Sequence, residues 1–167
     1  MRKPPSLRTH LTAALPQYQR DPEKLQMFVI GGSIATTGTA ALGWQWSYTL
    51  RLVFCDFTGH PDAIIGPTLI WLRAHQSELL KHPERQKQAI KIEAEYLNTS
   101  ALDLVMDLQL SESVSARPLQ DGPAGAFELV HRLEPPSFDK QPHDEVTALY
   151  LSGKQLAAWP PVDVVGQ

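Results

Sequence analysis

The chain has 167 residues, of which 43% are hydrophobic and 20% are charged. A domain of this length buries about 70% of its unfolded surface, so it needs no metal or disulfide to fold. Cys55 is the only cysteine, which excludes an internal disulfide and a multi-cysteine zinc motif. The N-terminal segment lacks the pattern of a signal peptide. No apolar run reaches the roughly 20 residues of a membrane helix, so we expect a cytoplasmic protein that contacts no membrane.

The net charge of −3 is unevenly distributed along the chain. Residues 1–20 carry four basic and no acidic side chains, whereas residues 102–167 carry ten acidic and four basic ones, a balance of −6. This acidic excess argues against nucleic acid as the main partner, because phosphate binding needs clustered Lys and Arg. The uneven charge suits copies that meet head to tail, and equally suits charges that are only solvated.

The N-terminal segment predicts a helix. Leu7, Leu11 and Leu15 recur every four residues, Ser6 is a candidate N-cap, and Pro16 ends the pattern. Shortly afterwards, Asp21-Pro22-Glu23 predicts one further helical turn, since proline is favoured at the first helical position.

From Leu25 the pattern changes to the alternation that is typical of strands. Residues 25–29 alternate, Gly31-Gly32 predicts a turn, and residues 34–39 are rich in β-branched side chains. The clearest strand spans residues 44–55, where large apolar side chains fall on every even position.

A second helix is predicted over residues 62–75, with Ile65, Leu69 and Leu72 facing the core. Pro67 is tolerated if the regular helix begins at that point, and otherwise kinks it. The charged stretch that follows, residues 81–88, is predicted as a helix end or a loop.

Two more alternating strands, residues 90–96 and 102–110, are predicted to form a hairpin around residues 98–100. Another strand begins at Phe127, after a loop at 117–125. The fold class predicted from these elements is α+β, a mixed or antiparallel sheet with two main helices packed on it, plus an extended C-terminal segment. The predicted core, with the two tryptophans at one end, comprises Leu50, Leu52, Phe54, Ile65, Leu69, Leu72, Leu104, Met106, Leu108, Trp44 and Trp46.

The C-terminal part of the chain is predicted to lie outside the main domain, residues 1–133. Residues 134–146 contain three prolines among polar side chains and predict a linker. Residues 147–167 then form an arm, in which a strand is followed by a turn at Gly153-Lys154 and ends near Trp159. Apolar side chains in such an arm must dock, either on a neighbouring subunit, as we expect, or on the arm's own domain.

The sequence offers no catalytic, cofactor-binding or metal-binding residue, so we expect no enzymatic activity. The six histidines lack metal-ligand spacing, and His60 between Asp56 and Asp62 is far more typical of a turn than of a metal site. Trp44 and Trp46 could stack on bases, but aromatic side chains at this spacing are more often core.

Several stretches of the chain, in the same order and spacing, resemble the tail completion protein R family of contractile-tailed peduoviruses. The resemblance is weakest at residues 112–146. The matching residues are Arg2 to Arg8 with Leu11, Tyr48 to Asp56 with Gly59, Pro67, Trp71 to Arg73, His75, Gln76, Leu149 to Leu151, Gly153 and Trp159.

The resemblance implies a structural virion protein of the phage tail, assembled in the host cytoplasm. It would form a ring, expected to be a hexamer, that terminates the tail tube and presents a surface to the head–tail neck. Expected partners are other copies of the chain, the tail tube, the sheath as a further candidate, and neck or head-completion proteins. Alternative functions are a neck or head-completion protein, a nucleic-acid- or ligand-handling accessory protein, and a hydrolase with an unrecognised site. The predicted subunit interface comprises Leu149, Tyr150, Leu151, Trp159, Arg2, Lys3 and Arg8.

Overall fold

The structure, a computed structural model, describes residues 1–36, 42–81, 83–98, 100–132 and 146–161. The helices are α1 (Lys3–Ala14), α2 (Pro16–Arg20), α3 (Asp62–His75), α4 (Ser77–Lys81) and α5 (Pro83–Ala89). The strands are β1 (Leu25–Thr36), β2 (Gly43–Phe57), β3 (Ile90–Tyr96), β4 (Leu102–Pro118), β5 (Phe127–His131), β6 (Ala148–Leu151) and β7 (Lys154–Ala158).

The main sheet has the strand order β1-β2-β4-β3, with β5 paired to the far end of β4, and every pairing is antiparallel. A separate two-stranded sheet contains β6 and β7. The helices α1 and α3 pack against each other and supply buried side chains to one core with the sheet. The predicted α+β class is therefore confirmed.

The central strands β2 and β4 bury the face that the alternation predicts. Leu50 pairs with Leu108 and Leu52 with Met106, and the next pair towards the end of β2 is likewise apolar. Paired residues of antiparallel strands lie on the same face of the sheet. These side chains are buried, which confirms the predicted strand register for this part of the core. We call this face the inner face.

Helix α1 begins earlier than the sequence predicts. Ser6 is not its N-cap, because Arg2 takes that position and Ser6 lies within the helix. Prolines in the first turn cost nothing there, since the first amides of a helix have no intrahelical partner. Instead, the Ser6 hydroxyl accepts a hydrogen bond from Trp71 Nε1 at 3.1 Å, which links α1 to α3.

Helix α3 has the predicted bounds, with Pro67 inside it, and Leu72 is buried as predicted, but the rest of its buried face differs from the prediction. Ile64, Thr68 and Trp71 are buried, whereas Leu69 is exposed. Ile65 is only partly buried. The buried Thr68 hydroxyl donates to the Ile64 carbonyl at 2.8 Å, so a polar side chain is satisfied on the inner side of the helix. The predicted Leu69 contact with the core is therefore wrong by about one residue of helix rotation.

The predicted turn at Gly31-Gly32 is also wrong, because β1 continues through it. The register shifts between Val29, which pairs with Leu50, and Gly31, which pairs with Thr49. This is a β-bulge, a usual place for glycine in a strand. A Cβ atom at Gly32 would lie 2.8 Å from the Ser47 carbonyl oxygen, so the close approach of β1 and β2 requires glycine here.

The hairpin between β3 and β4 is confirmed, with the Asn98 side chain accepting hydrogen bonds from the amides of Ser100 and Ala101. Strand β4 is longer than predicted and extends to Pro118. The charged stretch at residues 81–88 contains the last residue of α4 and most of α5. Most of the predicted linker, residues 134–145, lies outside the described residues.

The C-terminal hairpin turns at Ser152 and Gly153, one residue earlier than predicted. Both residues have positive φ, 48° and 80°. Two consecutive positive φ values are the signature of the two-residue turns that match the twist of a β-hairpin. Glycine accommodates this conformation without strain.

Replacing Leu52 by Ala should destabilise the fold by about 2–5 kcal/mol, because the side chain is completely buried between the helices and the sheet. Urea unfolding at pH 7 measures this change. Leu69→Ala is the matched control, and since Leu69 is exposed its effect should stay near 0.5 kcal/mol. Equal losses for both variants would contradict the observed orientation of α3.

Candidate subunit interface

A buried carboxylate holds the N-terminus of α1 on the sheet. Glu112 of β4 accepts hydrogen bonds from the Arg2 amide at 2.7 Å, the Lys3 amide at 3.3 Å and the Tyr48 hydroxyl at 2.5 Å. The amides at a helix start have no intrahelical acceptor and carry the positive end of the helix dipole. Glu112 therefore supplies from the sheet the acceptor that an N-cap side chain would otherwise provide.

These hydrogen bonds decide the ionisation of Glu112. Burial alone would raise the pKa of its carboxyl group, but the bonds from Arg2, Tyr48 and Lys3 outweigh burial and lower that pKa. Burial and the adjacent carboxylate together raise the pKa of the Tyr48 hydroxyl, which stays protonated and donates. His131 Nδ1 lies 3.5 Å from the carboxylate as a further partner when protonated.

A second polar contact lies beside the first and involves Gln76, which follows α3 and is buried. Its Oε1 accepts from Lys3 Nζ at 2.7 Å and from the Ser111 amide at 3.0 Å, while its Nε2 donates to the Ser111 hydroxyl. Farther along α1, Arg8 donates to the Leu25 carbonyl at 2.9 Å. Among the predicted interface residues, Arg2 and Lys3 thus bind the sheet through their backbone amides, and Arg8 binds it through its side chain.

The C-terminal hairpin docks on α1 and α3 of its own chain. The Leu149 side chain lies directly over Gly66, where a Cβ atom would come within 2.0 Å of Leu149 Cδ1. Trp159 is buried, and its ring meets the His10 ring edge to face at 5.9 Å. His10 Nε2 in turn lies 3.0 Å from the Pro67 carbonyl oxygen. Helix α3 is thus shaped to receive the hairpin.

The four predicted hairpin residues consequently divide into two pairs. Leu149 and Trp159 face the chain's own helices, whereas Tyr150 and Leu151 are exposed, at 62% and 45%. The basic residues Arg2 and Lys3 lie away from the hairpin, at the start of α1, where their amides bind Glu112. An interface role for these six residues and for Arg8 stays a prediction.

The sequence reasoning missed an apolar margin along β1. Every residue from Phe28 to Thr36 is exposed. Val29 and Ile34 pair with inner-face residues of β2, yet both are about half exposed. Together with Met1 and Trp46 they line an open groove of about 520 Å³. None of the described strands pairs with the outer edge of β1.

A comparable margin lies at the other side of the sheet, along β3. Ile92 pairs with Met106 and Tyr96 pairs with Leu102, so both belong to the inner face. Their partners are buried, but Ile92 and Tyr96 are 44% and 73% exposed. The helices therefore cover the middle of the sheet and leave inner-face side chains uncovered at both sides.

The far end of the inner face is also incompletely covered. Trp44 and Trp46, predicted as the end of the core, are only half-buried. On β5, Phe127 and Leu129 pair with the inner face of β4 and are more than half exposed.

The described residues contain no group of three His, Cys, Asp or Glu side chains that could hold a metal ion. His60 lies 3.3 Å from Asp62 in an exposed turn. Among the described residues, no helix has both the length and the apolar character needed to cross a membrane.

Residues 1–135 match the model of the P2 phage tail completion protein R (GpR) family. The chain is also 36% identical to the tail completion protein R of Escherichia phage P2 over 159 residues, which cover 95% of this chain and 99% of that protein. The chain belongs to the tail completion protein R family. The resemblance noted from the sequence is thereby confirmed, and the family is one of structural phage tail proteins. No solved structure matches the chain.

In this family member, replacing Glu112 by Gln should destabilise the fold by about 1–3 kcal/mol, because charge-assisted hydrogen bonds to buried donors are lost. Urea unfolding at pH 7 measures the change. Glu128→Gln removes an exposed partner of Arg117 and should cost little. Because the pKa of Glu112 is lowered on folding, the difference between wild type and Glu112→Gln should shrink as the pH falls below 4.5. A constant difference down to pH 3 would contradict this assignment.

Folding should also become less favourable as the pH falls from about 6.5 towards 4. Burial, with smaller effects of Lys3 and His10, lowers the pKa of His75 to about 4 in the folded protein. The unfolded chain therefore binds more protons in this range, so stability is complete above the unfolded pKa and decreases below it. Urea midpoints at pH 7 and pH 5 should differ less for His75→Gln than for wild type. An unchanged difference would show that His75 does not titrate in this way.

Proposed function

We propose that this protein completes the phage tail by forming a closed ring at the head-proximal end of the tail tube. The ring, expected to be a hexamer, stops tube polymerisation and presents a surface to the neck proteins. The observation that carries this proposal is the family membership, with a relative named for tail completion that aligns over nearly the whole chain.

The uncovered margins of the sheet support an oligomer. Monomeric proteins rarely leave contiguous apolar patches without a partner. Here the patches lie on different strands at the two sides of one sheet, at β1 and at β3. Two different surfaces on one subunit permit a head-to-tail contact, and such contacts close into a ring when the rotation between neighbours allows it.

The mechanism we propose is capping by shape. One face of the ring matches the last ring of the tail tube, and the opposite face does not, so that no further tube subunit adds. That opposite face is then available to neck or head-completion proteins. The exposed Tyr150 and Leu151 on the C-terminal hairpin are candidates for contact with a neighbouring subunit or with the tube or sheath.

The role is structural and requires no catalytic turnover. Two buried ionisable groups have structural partners: Glu112 binds amides at the start of α1, and His10 contacts a carbonyl oxygen of α3. The protein acts in the virion tail and is assembled in the host cytoplasm.

The test is a phage whose copy of this gene carries an early stop codon. We expect headless tails with tubes of irregular length, and restoration of infectious particles by the wild-type gene in trans. An epitope-tagged protein should be found at the head-proximal end of purified tails by electron microscopy. Absence from tails, or a position at the distal tip, would overturn the proposal, and a label on free heads would favour a head-completion role.

A further inference from the structure

Strand β1 is a long sheet edge that contains the β-bulge between Val29 and Gly31 but is otherwise unprotected against pairing. Its 12 residues contain no charged residue and no proline. Natural edge strands are usually protected by charge, proline, a β-bulge, short length or a covering segment, because free backbone groups recruit another strand. Phe28, Ile30 and Ile34 are each about half exposed along this edge.

The opposite edge, β3, has the properties of a complementary strand. It has seven residues, and all of them from Lys91 to Tyr96 are exposed. Its inner-face residues Ile92 and Tyr96 continue the apolar face, while its outer-face residues Lys91, Glu93 and Glu95 are charged. Because β1 has no charged residue, no like charge on β1 would oppose these side chains.

The strand directions make the two edges compatible. With the order β1-β2-β4-β3 and antiparallel pairing throughout, β1 and β3 run in opposite directions. When a second copy is placed in the same orientation beside the first, its β3 therefore runs antiparallel to β1. The sheet then continues from one subunit to the next with the pairing type that it has within each subunit.

We infer that β1 of one subunit pairs with β3 of a second copy of this chain, so that the sheets of the ring are continuous. This inference rests on the proposed ring and specifies its contact. The exposed stretch from Phe28 to Thr36 is long enough for the seven residues of β3. In that pairing the groove residues Val29 and Ile34 would meet Ile92 and Tyr96 on a common inner face.

A contact between two β1 strands is the main alternative. Two identical strands can also pair antiparallel around a twofold axis, which gives a dimer. Such a dimer would leave β3 of both copies uncovered, with Ile92 and Tyr96 exposed. Pairing of β1 with β3 covers both margins with one repeated contact.

Two charge-introducing variants separate these arrangements. Ile34→Lys blocks β1 and Ile92→Lys blocks β3, because each places a charge in the proposed apolar contact. Both positions are exposed in the subunit, so the fold should persist. Leu119→Lys, in the loop after β4, is the matched control, since it exchanges another exposed apolar side chain for the same charge outside both edge strands. Circular dichroism and urea unfolding report folding, and sedimentation velocity reports mass.

We expect wild type and Leu119→Lys to form the ring, and each blocked variant alone to be monomeric. An equimolar mixture of Ile34→Lys and Ile92→Lys should form a dimer and nothing larger, because one intact β1 and one intact β3 remain. A dimer of Ile92→Lys alone would indicate β1–β1 pairing and overturn the inference. Rings formed by both variants, or a mixture that stays monomeric, would overturn it as well.

The same experiments distinguish a failure of the proposed ring from a failure of the proposed strand pairing. If the wild type is monomeric at every concentration and absent from tails, the ring itself is wrong. If the wild type forms rings that neither blocked variant disturbs, only the strand pairing is wrong.

Should Ile34→Lys fail to fold, Phe28→Lys tests the same edge at another exposed position, on the outer face of the sheet.

Discussion

The arrangement of this fold depends on one buried carboxylate. Removing a carboxylate from water costs several kcal/mol unless hydrogen bonds replace the lost hydration. Glu112 obtains them from the first amides of α1 and from Tyr48, so the helix can start only where these donors reach the sheet. Helix α3 then packs on α1, and the C-terminal hairpin packs on both. A single polar contact thereby orients the helical layer over the middle of the sheet.

The position of the helices over the middle of the sheet leaves surfaces available for assembly. Two helices over a sheet of this width cover its central strands and leave inner-face side chains uncovered at β1 and β3. The hairpin does not relieve this exposure, because Leu149 and Trp159 dock on the helices and not on the sheet margins. The ring that we propose needs contacts between subunits, and the uncovered margins of one sheet offer them without any further element.

Sequence patterns predicted the strands and helix boundaries well where one periodicity dominated. Alternation in β2 and β4 placed Leu52 and Met106 in the core, and both are buried. The face of α3 was predicted only in part. Leu72 is buried as expected, but apolarity alone favours Leu69 over Thr68 and cannot show that the Thr68 hydroxyl is satisfied within the helix. Gly31-Gly32 was mistaken for a turn, since glycine pairs serve both turns and bulges.

The candidate interface was only partly predictable, because local sequence patterns do not show which strands are neighbours in the sheet. Glu112 occupies an inner-face position of the even-numbered alternation in β4, and this lone acid among apolar residues was a readable signal. The absence of charge in β1 was equally visible in the sequence. Its meaning was not, because whether a strand is an edge depends on the sheet order, which local patterns do not contain.

Amide hydrogen exchange is the most direct test of assembly through the sheet margins. Exchange into the backbone amides of β1 and β3 should be compared between the assembled wild type and the monomeric variants. We predict that assembly protects amides in residues 28–36 and 90–96 together, because pairing satisfies the free backbone groups of both strands at once. Protection confined to the C-terminal hairpin, residues 148–158, with both edges still exchanging rapidly, would contradict it.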